Sequence, residues 1–326
     1  MKKRKRKNHT TAIIVTALIV CAVIARILSK IDFHNTFFGI VRTMLYIGLY
    51  IGWGISVSKR VMQVQVRQCL IAVSGLTVFW FVVRTMKYFF IADSEVMRQL
   101  WYWYYCPMLF IPLLSVFVAM SLGKPDNYRL PKWTLLLYIP TVLCLLMVLT
   151  NDFHQLIFTF PSGEVWSDKN YEYNFGYYFV IGWEIICALL AFVIMVSKCR
   201  LLQRKKYLPF ILLLCSIIYA FIYSTGVEWM QLIGGDITAV QCLMFAGILE
   251  SCIQCGLIQT NSGYGELFEV RTIGSQIVDN NYNIRYSSSN APKLTQEIMR
   301  AAENGAVKLD KNTLLKSSRI DGGRVL

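Results

Sequence analysis

The sequence predicts an all-α polytopic membrane bundle of seven or eight helices followed by a small C-terminal α/β domain, and three observations carry that reading. Eight apolar stretches fill residues 11 to about 259, and most reach the roughly 20 residues that a helix needs to cross hydrocarbon about 30 Å thick. The positive charges between these stretches fall almost wholly on alternate sides. After Gln259 the composition turns polar, with no cysteine and no histidine from there to Leu326. No segment alternates polar and apolar residues as a membrane β-strand would. A helix is the other structure that satisfies its own backbone in lipid.

Residues 1–36 hold a basic N-terminus and the first stretch, Thr11 to Leu28. Six basic residues before an apolar run also describe a signal peptide, with Val23 and Ala25 as a weak cleavage site. Arg26 and Ile27 follow without the usual small residues, so an uncleaved anchor is expected. Residues 37–259 hold seven more stretches: Phe37 to Val57, Cys69 to Val83, Trp101 to Ser121, Trp133 to Thr150, Gly176 to Val196, Leu208 to Met230 and Ile237 to Gln259. The Cys69 stretch is short and is expected to extend into Val64 to Val66 and Thr85 to Phe90.

Placing Met1 in the cytoplasm puts seventeen basic residues inside, among them Lys59, Arg60, Arg67, Lys124, Arg129, Lys132 and Lys198, and five outside. An even number of crossings returns the C-terminus to the cytoplasm. The expected location is the cell (plasma) membrane, multi-pass, with both termini cytoplasmic.

The chain is 56% hydrophobic with a mean hydropathy of +0.48, so its formal charge of +14 is topological and no nucleic acid partner is implied. Nine of the ten cysteines lie in apolar stretches and Cys199 sits at a stretch end, away from the outer loops where disulfides form. Cys252 and Cys255 make a lone C-x-x-C without a second pair or a nearby His, which favours packing over zinc. No metal and no other cofactor is expected. The aromatic run Trp101 to Tyr105 reads as an interfacial belt, and a belt is also the reading preferred for the aromatics of the loop from Asn151 to Phe175.

In residues 260–326, Gln276 to Val278 and Ile284 to Ser287 flank Asp279 to Asn283 as a hairpin, and Leu294 to Asn304 is expected to be a helix ending at Gly305. Ala306 to Leu309 and Leu314 to Ile320 read as a second strand pair, and a last strand begins at Arg324 in what looks like an unfinished sheet. So small a unit is marginally stable by itself, so a partner or a continuation is expected.

Four short motifs occur in order: Leu149-Thr150-Asn151-Asp152-Phe153-His154, Phe175-Gly176-Tyr177-Tyr178, Gly256-Leu257-Ile258-Gln259-Thr260-Asn261 and Gln276-Ile277-Val278-Asp279. With them, residues 37–326 resemble the N-terminal seven-helix sensor region of bacterial histidine kinases, followed by a partial PAS-like domain. The resemblance implies a kinase with a phosphoacceptor His and an ATP-binding module downstream. This chain has only His9, His34 and His154, none of them after the membrane region, and no phosphate-cradling Gly loop. It therefore reads as a non-enzymatic sensor that is truncated, split, or coupled to a separate cytoplasmic kinase module, and as a homodimer.

A charge at mid-depth is costly and marks a functional site or an internal pair. Glu184 and Glu250 are placed near mid-depth, and Arg42, Trp80, Arg84, Trp183, Glu228 and Trp229 toward the outside. One reading has them line a cavity open to the outside for an extracellular or membrane ligand, with Glu184 or Glu250 paired to an Arg or to a cationic ligand; the preferred reading is an inter-helix ion pair or hydrogen bond without a ligand. The functional alternative is a small-solute transporter or permease-like protein. That reading predicts paired repeats or broken helices, and no convincing repeat relates the two halves.

Overall fold

The computed structural model describes residues 2–31, 36–122, 124, 128–161, 166–167, 170–198, 208–224, 237–255, 258, 274–279, 282–288, 290–310, 313–320 and 323–326. The chain divides into two compact units, Met1–Ile258 and Gln259–Leu326.

Each of the eight apolar stretches carries a helix. In order they are α1 (Lys2–Ile31), α2 (Thr36–Arg60), α3 (Val64–Thr85), the pair α4 (Ser94–Tyr102) and α5 (Tyr105–Ser121), α6 (Tyr138–Leu149), α8 (Phe175–Lys198), α9 (Leu208–Ser224) and α10 (Ile237–Gln254), with the short α7 (Asn151–His154) after α6. Six spans are long and apolar enough to cross a membrane; the apolar part of α1 and the 17 described residues of α9 are shorter. The expected extension of α3 is real, because a π-turn over Met86–Phe90 prolongs the span to Val64–Phe90. Its signature is the bond from Ile91 N to Met86 O, 3.1 Å, five residues back.

The Ser94–Ser121 span is the centre of the bundle. Its most apolar window is 78% buried, against 17% to 44% in the other five spans, and α5 packs on both α3 and α8. Ile111, Leu113, Phe117 and Val118 of α5 meet Val57, Val66 and Leu70 on one side and Leu249, Cys252 and Ile253 of α10 on the other. Both sulfurs of the C-x-x-C are buried, and Cys252 Sγ lies 3.6 Å from Met195 Sδ. On α8 the stripe Val180, Cys187 and Ala191 faces inward, while Ile185, Ile186, Leu189 and Val193 are exposed, as a lipid-facing side should be.

Local polar groups are satisfied within the helices. The hydroxyls of Thr43, Thr77, Thr85, Ser115, Ser121 and Thr141 donate to the carbonyl four residues earlier at 2.7 to 3.1 Å, which removes the cost of a bare hydroxyl in hydrocarbon. Pro140 lacks an N–H and its ring crowds the carbonyl of Leu136, so the entry to α6 is wound as a 3-10 turn over Lys132–Leu137. Gly54 of α2 is needed for close approach, since a Cβ there would stand 2.5 Å from Ser74 Oγ of α3.

The belt reading is corrected for part of the aromatic run. Trp103 is 40% exposed, but Tyr102 and Tyr105 are buried in one cluster with Phe158 from the loop. Ring packing within the protein removes them from the lipid boundary.

In the second unit, β3 (Gln276–Asp279) pairs antiparallel with β4 (Ile284–Ser287), as the hairpin pattern requires, and the left-handed residue described in the turn is Tyr282 (φ 60°). The helix α11 is shorter than expected, Gln296–Ala301, yet Met299 and Ala302 are buried on its inner face with Leu294 and Ile298 beside them. The expected strand Leu314 to Ile320 is two strands: β6 (Thr313–Leu315) pairs with β5 (Val307–Asp310), while β7 (Ser318–Ile320) pairs with β8 (Gly323–Val325). The main sheet has the order β4-β3-β8-β7, so the last strand lies at its interior against the first.

Candidate functional site

The densest polar network lies where the loop from Asn151 to Phe175 meets α4. Asp93 caps α4 by accepting from Glu95 N (2.8 Å) and Val96 N (3.2 Å), which sets the helix so that Arg98, Gln99 and Tyr102 share a side. All three converge on Asp152: Arg98 Nε is 3.0 Å from Oδ1, Gln99 Nε2 donates to Oδ2 at 2.7 Å, and the buried Tyr102 hydroxyl donates to Oδ1 at 2.7 Å. The fully buried Asn151 folds the turn after it. Its Oδ1 accepts from Ile157 N and Phe158 N, and its Nδ2 donates to Phe158 O.

That turn is joined to the start of α8. Gly176 N donates to Leu156 O at 3.0 Å, and a Cβ on Gly176 would stand 2.7 Å from the same oxygen, so only glycine fits. β1 (Phe158–Thr159) and β2 (Glu172–Tyr173) close the hairpin. Phe158 anchors it, with the rings of Trp101 at 4.6 Å, Tyr171 at 5.4 Å and Tyr177 at 5.8 Å.

Beside this network the π-turn carries Lys87 inward, where it is 2% exposed. Its Nζ lies 4.5 Å from the ring of Tyr88, 5.0 Å from Trp166 and 5.7 Å from Tyr104, a cation held among aromatic faces. Trp80 is 5% exposed, its ring 6.4 Å from Tyr104, and its Nε1 has no hydrogen-bond partner among the described residues. Arg84 sits over Tyr88 at 5.8 Å. Sequence reasoning singled out Trp80 and Arg84 but not Lys87, because a single-residue shift of helical phase leaves no mark in hydropathy.

The other expected site residues lie elsewhere. Trp183 donates to Thr141 Oγ1 at 2.9 Å and joins α8 to α6. Glu184 falls on the inward stripe of α8 between Val180 and Cys187, and among the described residues no hydrogen bond or ion pair holds its carboxyl. Arg42 is half-buried on α2, near the end where Gly39 meets Phe89. Glu228 and Trp229 lie outside the described residues.

Glu250 requires a correction of depth. It stands four residues before the end of α10, and Arg60, the last residue of α2, clamps it with two bonds of 2.8 Å while Trp53 Nε1 donates at 3.1 Å. Arg42 is eighteen residues earlier on α2, about 27 Å away at 1.5 Å per residue. The two cannot line one opening, and Glu250 belongs to an inter-helix ion pair at the other end of the bundle.

A family model described as the N-terminal 7TM region of histidine kinase matches residues 36–253. The chain belongs to that family. The match runs from the first residue of α2 to one short of the end of α10, and so takes in the helices of the seven apolar stretches after the first. No curated protein and no solved structure matches. The motifs that carry the resemblance in the loop region, Asn151-Asp152 and Phe175-Gly176, have structural causes here: they are the two halves of the clasp between α4, the hairpin and α8. Among the described residues no group of three or more His, Cys, Asp or Glu could hold a metal ion. The arrangement is one of mechanical connection between helices and loop, in a sensor region of a histidine kinase within a multi-pass helical membrane protein.

Proposed function

We propose that this chain is the input region of a two-component-type signalling system, in which a ligand shifts the bundle between two arrangements and α10 relays the shift to residues 259–326. The observation that carries the proposal is the Arg60–Glu250 clamp. It ties the last membrane helix to α2 within about one turn of the point where the chain leaves the bundle, where a small displacement has most leverage on the residues beyond.

In this reading the loop clasp faces outward and both termini lie in the cytoplasm. The ligand contacts are Arg42, Trp80, Arg84, Trp183 and Glu184, with Glu228 and Trp229 as further candidates, and Glu250 serves the relay. Residues 260–326 form a partial PAS-like domain, the chain works as a homodimer, and its signal passes to a cytoplasmic kinase module. An antiparallel sheet with its first and last strands adjacent, packed against one short helix, supports the PAS-like assignment.

The test joins the full chain to the dimerisation and ATP-binding modules of a well-behaved histidine kinase and reads autophosphorylation in membranes. Arg60→Gln and Glu250→Gln should shift basal output in the same direction, and the exchanged pair Arg60→Glu with Glu250→Arg should restore it. Output indifferent to all these changes, with the protein correctly inserted, would discard the relay.

A further inference from the structure

We infer that the bundle carries a binding site for one anionic phospholipid in the cleft between the start of α3 and the turn leading into α6. This goes beyond the sensor reading and does not depend on it. The cleft has a volume of about 260 Å³, with Phe117 of the central helix among its lining residues. That is the size of a headgroup and not of a whole lipid, and the acyl chains have somewhere to go: Leu135 of its lining is 62% exposed.

The polar groups of the cleft divide into two kinds. Gln65 Oε1 is taken by Leu130 N at 2.9 Å and the Thr134 hydroxyl by Pro131 O at 2.8 Å, so these hold the walls. Gln68, Lys132 and Tyr138 also line the cleft, and their side chains have no hydrogen-bond partner among the described residues. An amide, an ammonium and a phenol lining one cleft form a donor set for a phosphate.

Three facts select an anionic lipid as the occupant. Among the described residues no acidic side chain lines the cleft, while Lys132 does. The cleft opens at the end of the bundle where α2 carries Lys59 in its last turn, α3 begins with Arg67 in its first turn, and α8 finishes with Lys198, while Arg60 is already paired with Glu250, so the local field favours negative charge. Gln68 is itself exposed one turn inside α3, a position that would otherwise set an unpaired amide against acyl chains.

The full chain, reconstituted in nanodiscs of equal phosphatidylglycerol and phosphatidylcholine, is released into mild detergent, and retained lipids are counted by native mass spectrometry. Wild type should keep phosphatidylglycerol in preference to phosphatidylcholine. Lys132→Gln should reduce that retention about fivefold, the factor one cation near an anionic surface supplies. Gln68→Leu should also reduce it, and Lys132→Arg should preserve it should Lys132→Gln fail to fold. Lys124→Gln, a cation of the same end outside the cleft, should change nothing. Equal retention of the two lipids by wild type, or an equal loss in Lys124→Gln, would overturn the site in favour of diffuse surface charge. Displacement of the lipid by free glycerol phosphate would assign the cleft to a soluble phosphate instead.

Discussion

Asp152 shows what a single carboxylate does at the loop end. It accepts from three side chains of α4, one of them the buried Tyr102 hydroxyl, and so fixes the hairpin to the central helix. Asp152→Ala leaves that hydroxyl and the Arg98 guanidinium without their acceptor and should cost about 2 to 3 kcal/mol, the range for buried groups left unsatisfied. Gly176→Ala should loosen the same joint from the other side, because the obstructing atom is the backbone oxygen of Leu156 and not a side chain able to turn away. Thermal unfolding in detergent checks both, and a double variant should lose less than the sum, since one joint is broken twice. Asn151-Asp152 was visible in the sequence as a motif. Its partners at Arg98, Gln99 and Tyr102 were not, because contact across some fifty residues has no local signature.

At the scale of elements, the end of α5 is closed by its neighbours. Lys198 Nζ at the end of α8 donates to Ala119 O (3.0 Å) and Met120 O (2.5 Å), and Gln63 Nε2 donates to Ser121 O (3.2 Å), which supplies carbonyls that have no partner within the helix. Burial, and secondarily the charge of Lys124, hold the Lys198 ammonium below its ordinary value of 10.5. The folded protein therefore releases this proton at lower pH than the unfolded chain. In the alkaline window below 10.5 the unfolded state holds more protons, so stability rises with pH there. Lys198→Met should flatten that rise, measured as unfolding temperature against pH, and an unchanged slope would refute the assignment. The eight apolar stretches and the extension of α3 through Phe90 were legible from hydropathy alone. The π-turn, the 3-10 entry to α6 and the split of residues 313–320 between two sheets were not, since each depends on which neighbour completes the hydrogen bonds.

For the whole molecule, the alternation of charge predicts a direction of insertion. Reporter fusions at Ser162 and Gly263 should respond on opposite faces of the membrane, with Gly263 cytoplasmic; a signal from both on one face would reverse the assignment. The sequence by itself determined that the chain is a helical membrane protein, where its spans lie and which family it belongs to, because hydrocarbon admits so few backbone solutions that length and apolarity suffice. It also marked Glu250 as a carboxylate in need of a partner, since lipid makes an unpaired charge expensive. Only the tertiary structure decided which residues meet. It made Ser94–Ser121 the central span, turned Lys87 into an aromatic enclosure, set Tyr102 and Phe158 inside the protein, and gave Glu250 to Arg60. The physical reason is that in lipid an outward and an inward helix face are both apolar, so periodicity no longer says what packs against what; that choice falls to shape, small-residue contacts and a few polar bonds between distant segments.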